Sequence, residues 1–311
     1  MRSEILNLLR EKSPQPVSGQ DLANHFGITR TAVWKHIQSL KKMGYGIEAY
    51  TKKGYVLVSV PNKLLPEEIS RHLHTRFIGR NMAYEDVIPS TNDLLKKMAL
   101  QGAPDGTVCV AEEQSVGKGR LARGWFSPYG KGLWFSLLLK PTFLPQEAPK
   151  MTLLAAVAVV RAVRELCGVK AEIKWPNDIY WKNKKICGML IENDLMGRTI
   201  RQSISGIGIN VNQEAFHSSA PNPVSLQQIT GKQYEIFGIL RNIMLRVQSY
   251  YELLRNDDTE FIANRYEKAL FRKEGMHRYK DPDGEFFARI VCVEPEGRLI
   301  LEDETLRKRG Y

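Results

Sequence analysis

Nine consecutive residues, Gly117-Lys118-Gly119-Arg120-Leu121-Ala122-Arg123-Gly124-Trp125, bring together three glycines, three cations and one indole. Glycine costs too much backbone entropy for such a stretch to hold a stable helix or a good central strand. Its N–H groups and fixed charges suit an anion instead. Arginine offers a planar fork of donors, and lysine a compact point charge. The stretch reads as a loop that folds over a carboxylate and a phosphate, although a solvated basic surface loop has the same composition.

Further polar clusters stand at the ends of expected strands. They are Ser90-Thr91-Asn92, Gln114, Lys174-Trp175-Pro176-Asn177-Asp178, Lys185 and the run from Gly206 to Asn212. Donors dominate, and Asp178 is the main acid. Such a set suits a reaction between two anions, whose mutual repulsion must be screened before they meet. A carboxylate attacking the α-phosphate of ATP is one such reaction. Lysines would stabilise the developing pentavalent phosphorus, while Asp178 would hold Mg²⁺ or orient a lysine. Positioning and charge can do this work without a covalent enzyme nucleophile.

Other chemistries fit less well. The loop is not closed by the Gly-Lys-Ser/Thr of a phosphate-binding P-loop. Gly117-x-Gly119-x-x-Ala122 matches a loose dinucleotide fingerprint, but the helix which that fingerprint needs cannot run through Gly124-Trp125-Phe126-Ser127-Pro128. No Gly-x-Ser-x-Gly elbow marks a serine nucleophile. The six histidines lack metal spacing, and His72 and His74 point to different sides of a helix. The four cysteines, Cys109, Cys167, Cys187 and Cys292, form no Cys-x-x-Cys pair. That argues against a zinc ribbon or disulfide scaffold and for a reducing cytoplasm.

The elements that must position these clusters follow from local pattern. Strands are expected over Met82 to Ile88, Thr107 to Glu112, Leu133 to Leu139 and Ile200 to Val211, with a hairpin of Ile179 to Trp181 and Lys185 to Glu192 turning at Asn183-Lys184. Helices are expected around Pro66, from Leu94, over Met151 to Cys167 and across 236–270. Ser90-Thr91-Asn92 then falls at a helix start, where free N–H groups gather, and ordinary capping explains it equally well. Strands in adjacent runs with helices grouped between them make a multi-domain α+β arrangement. Phe286 to Val293 and Arg298 to Glu302 suggest a small terminal β-barrel or sandwich. The apolar run Met151 to Val160 is far short of the roughly 20 residues that a membrane span needs, and the charged N-terminus is no signal peptide. The expected domains are 1–62, 63–270 and 271–311.

Residues 1–62 carry nine cations against four acids, within a chain of net charge +11. An N-cap at Ser18 with Asp21, a turn at Gly27 and a second cap at Thr29 bracket two short helices. Val33, Ile37 and Leu40 form an inward face, leaving Arg30, Thr31, Trp34, Lys35 and Gln38 outward. A hairpin with Lys52-Lys53-Gly54 at its tip follows. This is the helix-turn-helix pattern with a basic wing. The excess charge has the right sign for phosphate contacts, although a helical protein-interaction module with a basic face would look similar.

With Ser90-Thr91-Asn92, Gly117-Lys118-Gly119-Arg120-x-x-Arg123-Gly124-Trp125, Lys174-Trp175-Pro176-Asn177-Asp178 and Lys185-Ile186-Cys187-Gly188 all in one chain, the sequence resembles the bifunctional biotin–protein ligase and biotin operon repressor family over nearly its whole length. The resemblance implies a winged helix-turn-helix domain, a class II synthetase-like mixed sheet with helices, and a small C-terminal SH3-like β-barrel. It implies that biotin and MgATP give biotinyl-5′-adenylate, from which a lysine of a biotin carboxyl carrier protein, part of an acetyl-CoA or pyruvate carboxylase, takes the biotin. Ser90, Thr91, Asn92, Gln114, Lys118, Gly119, Arg120 and Lys185 would contact biotin or its adenylate carboxyl. Arg120, Arg123, Trp125, Lys174, Asn177 and Asn210 would hold the adenylate side, with Lys185, Asp178 and Arg120 catalytic. Ser18, Gly19, Arg30, Thr31, Trp34, Lys35, Gln38, Lys52 and Lys53 would face operator DNA, bound by a homodimer of the adenylate-loaded form. Family members often have arginine where Lys118 stands, and lysine lacks the bidentate fork. A repressor without turnover and a lipoate-type ligase are the alternatives.

Overall fold

The computed structural model describes residues 1–197, 199–217 and 221–311, with Ala122 described in its backbone only. The chain divides between Lys63 and Leu64 into two units.

In the first unit, α1 (Arg2–Lys12), α2 (Gly19–Phe26) and α3 (Arg30–Lys42) precede the hairpin of β1 (Gly46–Tyr50) and β2 (Gly54–Ser59). The caps lie where sequence places them. Ser18 Oγ accepts from the Asp21 N–H at 3.0 Å, and Thr29 Oγ1 accepts from the Ala32 N–H at 3.1 Å. Gly27 ends α2 in the left-handed conformation, with φ of 63°. Ile5, Leu6, Leu9, Leu22, Val33, Ile37 and Leu40 form the buried interior. Paired backbone bonds between Val17 and Tyr55 tie the hairpin to the entry of α2. Gly54 permits this approach, because a Cβ there would stand 2.0 Å from the Val17 carbonyl oxygen.

The second unit opens with α4 (Pro66–Arg71), β3 (Met82–Ile88), α5 (Thr91–Leu100), β4 (Val108–Gln114) and β5 (Gly132–Leu139). Then come α6 (Pro149–Cys167), β6 (Glu172–Lys174), β7 (Asp178–Trp181), β8 (Lys184–Met196) and β9 (Thr199–Asn210). The seven strands form one mixed sheet in the order β3-β4-β5-β9-β8-β7-β6. Only β3 and β4 are parallel neighbours. Alternation along the strands assigns the two faces. Val108, Val110, Leu137, Leu139, Ile207 and Ile209 belong to the main core with α6. Cys109, Leu138 and Ile204 pack instead with Leu95 and Ala99 of α5. The glycines at 206 and 208 share this second face, beside α5.

The remaining elements are α7 (Leu226–Thr230), α8 (Ile236–Arg255), α9 (Glu260–Glu267), β10 (His277–Asp281), β11 (Gly284–Val293), β12 (Leu299–Asp303) and β13 (Lys308–Gly310). The last four form an antiparallel sheet in sequence order. Several boundaries differ from expectation. The β7–β8 turn comprises Lys182 and Asn183, and Lys184 already pairs with Trp181. Strand β8 runs four residues past Glu192, to Met196. The helical stretch 236–270 breaks after Arg255, where Asp257 has φ of 58° and no Gly or Pro announces the turn. Helix α7, outside the expected helices, starts at a reciprocal capping box of Ser225 and Gln228. Helix α4 takes no side-chain cap, since its N-cap is Leu65.

No helix among the described residues is long and apolar enough to cross a membrane.

Candidate active site

The glycine-rich loop is folded as a narrow finger. The Trp125 N–H donates to Gly117 O at 2.8 Å and the Gly119 N–H to Arg123 O at 2.7 Å. Its base is closed by the bridge Gln114–Ser127, and its tip is a short 3-10 turn over Arg120–Ala122. Glycine's entropic cost did not prevent strand-like bonds here, because the bonds are few and the two arms are adjacent in sequence. Gly117 is required sterically, since a Cβ there would lie 2.4 Å from the Trp125 carbonyl oxygen.

The finger lays Trp125 on the sheet. A Cβ on Gly208 would stand 2.4 Å from Trp125 Nε1, and one on Gly188 would stand 2.9 Å from Cζ3. These two glycines are cross-strand neighbours on β8 and β9. They form a trough into which the indole fits. Trp125 Nε1 is buried there without a hydrogen-bond partner among the described residues. Beside the ring, Lys185 Nζ lies 5.0 Å from its centroid, a cation–π distance. The same ammonium is 2.7 Å from Asp178 Oδ1, with both side chains about 21% exposed. Lys185, Asp178, Trp125, Gly188 and Gly208 therefore converge on one spot.

The neighbouring strands hold this spot in place. Lys185 bonds through its backbone to Asn222 and Val224, and Asn210 Nδ2 reaches Lys185 O at 3.4 Å. Asn210 Oδ1 accepts from Gln213 Nε2 at 3.0 Å. Asn177 Nδ2 donates to Met189 O at 2.5 Å, and the Asn177 backbone carbonyl accepts from the Met189 N–H. Asn177 and Asn210 thus brace β8 and β9 with their amides. Lys174 lies in register with Asp178, with its ammonium 3.1 Å from the Tyr180 hydroxyl and 4.4 Å from the ring centroid.

At the other end of the trough, α5 delivers Ser90, Thr91 and Asn92, all buried. Ser90 is the N-cap residue yet makes no side-chain cap bond, so ordinary capping does not account for it. Gln114 Oε1 accepts from Thr91 Oγ1 at 3.0 Å and from the Thr91 N–H at 2.9 Å, while its Nε2 donates to Ser127 Oγ at 3.2 Å. Ser136 of β5 lies 2.7 Å from Thr91 Oγ1 and 2.5 Å from Asn92 Oδ1. The result is a buried polar patch one strand away from the Lys185 centre.

Three predicted cations are not drawn into that centre. Lys118 donates to Asp93 Oδ2 at 2.6 Å, and this hydrogen bond to the carboxylate raises its pKa. Arg120 lines a separate cavity of about 290 Å³, with Trp175, Pro176, Asn193 and Glu296. Arg123 is exposed on the finger. Sequence reasoning missed Ser127, Ser136, Asp93 and Glu192. Glu192 shares the alternation of Gly188 along β8, but that places it on a face without marking it as part of a site. Cys187 is no nucleophile, because complete burial pushes its thiol pKa up. Among the described residues no group of three or more His, Cys, Asp or Glu side chains is placed to hold a metal.

In the first unit, Ser18, Gly19, Arg30, Thr31, Trp34, Lys52 and Lys53 line one open cavity of about 640 Å³ between α3 and the hairpin. Lys35 and Gln38 lie on α3 outside that lining, with Lys35 exposed. A concave surface between a helix and a hairpin tip, edged by Arg30, Lys52 and Lys53, has the charge and shape to take a phosphate backbone.

Comparison with known proteins agrees with both halves. Residues 84–210 match the model of the Biotin/lipoate A/B protein ligase family, and residues 2–56 match an HTH domain. The Bifunctional ligase/repressor BirA of Bacillus subtilis is 36% identical, covering 100% of this chain and 97% of that protein. The protein of the same name from Escherichia coli is 29% identical over 94% of this chain and 89% of its own length. Among solved structures, the biotin protein ligase from Aquifex aeolicus in complex with biotin and ATP superposes with a TM-score of 0.64 at 26% identity, covering 75% of this chain and 95% of that one. Because the likeness to the Bacillus protein runs from end to end, helix-turn-helix unit included, the chain belongs to the BirA-type family of bifunctional biotin ligase/repressors.

Proposed function

We propose that the chain attaches biotin to a lysine of a biotin carboxyl carrier protein through biotinyl-5′-adenylate, and that it represses biotin synthesis genes in response to that intermediate. The observation that carries the reading is the Lys185–Asp178 pair set against Trp125 on a glycine trough, one strand from a buried patch of hydroxyls and amides.

The buried patch of Ser90, Thr91 and Gln114 takes the polar head of biotin, leaving its carboxylate toward Lys185. The Trp125 indole supports the adenine side, and Lys174 and Arg123 add charge for the phosphates. Lys185 then stabilises the charge that develops as the carboxylate attacks the α-phosphate and pyrophosphate leaves. A positioned cation in a partly dry site is worth far more than in water. Asp178 is the carboxylate available to the Mg²⁺ that accompanies ATP. One protein carboxylate plus phosphate oxygens is a sufficient donor set for that ion. In the second half-reaction Asp178 orients the acceptor lysine, whose amine attacks the acyl phosphate and releases AMP. Lys118, Gly119 and Arg120 close over the carboxyl when the finger moves from its Asp93 tether. Asn177 and Asn210 act through the strands that they brace.

The basic cavity of residues 1–63 takes operator DNA, and the adenylate-loaded chain binds it as a homodimer. We read residues 271–311 as a third domain, a small SH3-like barrel that helps to cover ATP or to dock the acceptor. Trp175 Nε1 donates to Gly297 O at 2.9 Å and fastens the β11–β12 turn to the turn that leads into β7 and Asp178. The unpaired cysteines fit a reducing cytoplasm.

Removal of residues 1–63 tests the division of labour. The shortened chain is expected to retain biotin transfer to a carrier domain while losing operator retention in a gel shift. Operator binding by the shortened chain would overturn the DNA assignment, and loss of transfer would place part of the ligase in the first unit.

A further inference from the structure

The Asn92 amide is fixed at both ends by the protein. Its Oδ1 accepts from Ser136 Oγ at 2.5 Å, and its Nδ2 donates to Glu192 Oε2 at 2.7 Å, with Leu190 O at 3.4 Å. It lies flat on Gly206, where a Cβ would stand 2.3 Å from Asn92 Oδ1. Ser136, Gly206 and Leu190 are cross-strand neighbours on β5, β9 and β8, so the amide spans three strands. Glu192 is itself held. Its other oxygen receives Lys96 Nζ at 2.6 Å, and Lys96 sits four residues after Asn92 on the same face of α5.

We propose that Glu192 is a positioning residue for the biotin pocket, acting by orienting the Asn92 amide so that the polar patch of Thr91, Ser136 and Gln114 is set before biotin arrives. An Asn amide has two chemically different ends, and only one rotamer satisfies Ser136 and Glu192 together. Without the acceptor at 192, the amide can flip and offer Ser136 a donor instead of an acceptor. Ser136 has a single hydroxyl proton to divide between Asn92 Oδ1 and Thr91 Oγ1, and Thr91 gives its own to Gln114. A flipped amide that donates to Ser136 therefore turns that proton wholly toward Thr91 and resets the donor directions through the patch. Buried polar chains are costly when partly satisfied. Glu192 does not touch biotin, ATP or the reacting atoms, and its effect falls on biotin affinity.

This proposal rests on the biotin assignment above. Biotin binding to the full chain by titration calorimetry tests it without turnover, and biotin-dependent pyrophosphate release gives the KM values. Glu192→Ala is expected to weaken biotin binding about tenfold, the equivalent of one lost hydrogen bond of about 1.4 kcal/mol. The KM for ATP and kcat should stay within about twofold. Glu192→Asp keeps the charge but is one methylene short of Asn92, and is expected to match the alanine variant. Glu192→Gln retains an acceptor at the right reach and is expected to bind biotin within about threefold of the parent chain. Unchanged biotin affinity in both Ala and Asp variants, or a Gln variant as weak as Ala, would overturn the proposal. So would a KM for ATP that rises in step with that for biotin. If Glu192→Ala does not fold, the Asp and Gln pair decides. A parent chain that binds biotin without releasing pyrophosphate refutes the ligase reading alone, whereas one that binds no biotin refutes both.

Discussion

Lys185→Ala is expected to slow biotinyl-adenylate formation by about 10²–10³-fold, the loss typical of one preorganised group that stabilises developing transition-state charge. The ammonium stands over Gly188 beside Trp125, where a Cβ on that glycine would approach it to 3.2 Å. Lys174 lies against Tyr180 and Lys118 against Asp93, so neither can stand in for it. The fold should survive. Breaking a fully buried ion pair costs about 3–5 kcal/mol, but Asp178 keeps about 21% of its side chain in water and can be rehydrated. Lys185→Arg retains the charge in a bulkier, planar form and is expected to recover part of the rate. Biotin-dependent pyrophosphate release alongside a melting curve checks this. An alanine variant with an unchanged melting temperature and near-parental rate would remove Lys185 from the chemistry.

The second large effect is expected at Gly208. A methyl group there would stand 2.4 Å from Trp125 Nε1 and 2.8 Å from Cε2. The indole is rigid and its backbone is bonded to Gly117, so it must lift by about 1 Å to restore contact distance. A misplacement of that size can cost about 10²-fold in rate. Gly208→Ala should therefore lose adenylate formation by about 10²-fold, with the KM for ATP rising because Trp125 supports the adenylate side. Gly188→Ala should be milder. Its new methyl meets the edge of the ring at 2.9 Å and the flexible end of Lys185 at 3.2 Å, and a lysine chain can move aside. Steady-state kinetics on both variants test the order. An equal or reversed ranking would show that the indole does not work from this trough.

Much of this was legible in the sequence because it is local. Ser18 and Thr29 cap the helices they precede, and Val33, Ile37 and Leu40 turn inward at helical spacing. The clusters at Ser90, Lys174 and Lys185 were recognisable from residue type and from their place at element ends. What could not be read is pairing across long separations. Glu192 meets Asn92 across 100 residues, and Ser136 meets it across 44. Nothing in a local pattern distinguishes that glutamate from a solvated one. The family resemblance gives Asn177 and Asn210 to the adenylate side, and the bracing role of their amides, bonded to backbone carbonyls and Gln213, has no local signal. Lys118 was read toward biotin, whereas its partner here is Asp93. The short strands β10 and β13 carry charged residues at most positions. Their pairing comes from the meander rather than from propensity.

The most direct test of the central claim uses the full chain with biotin, MgATP and a biotin carboxyl carrier domain, followed by the intact mass of the carrier. The carrier is expected to gain one biotinyl group on a lysine, with no gain when ATP is withheld or when lipoate replaces biotin. A carrier that stays unmodified with biotin and MgATP present, or that gains mass from lipoate instead, would contradict it.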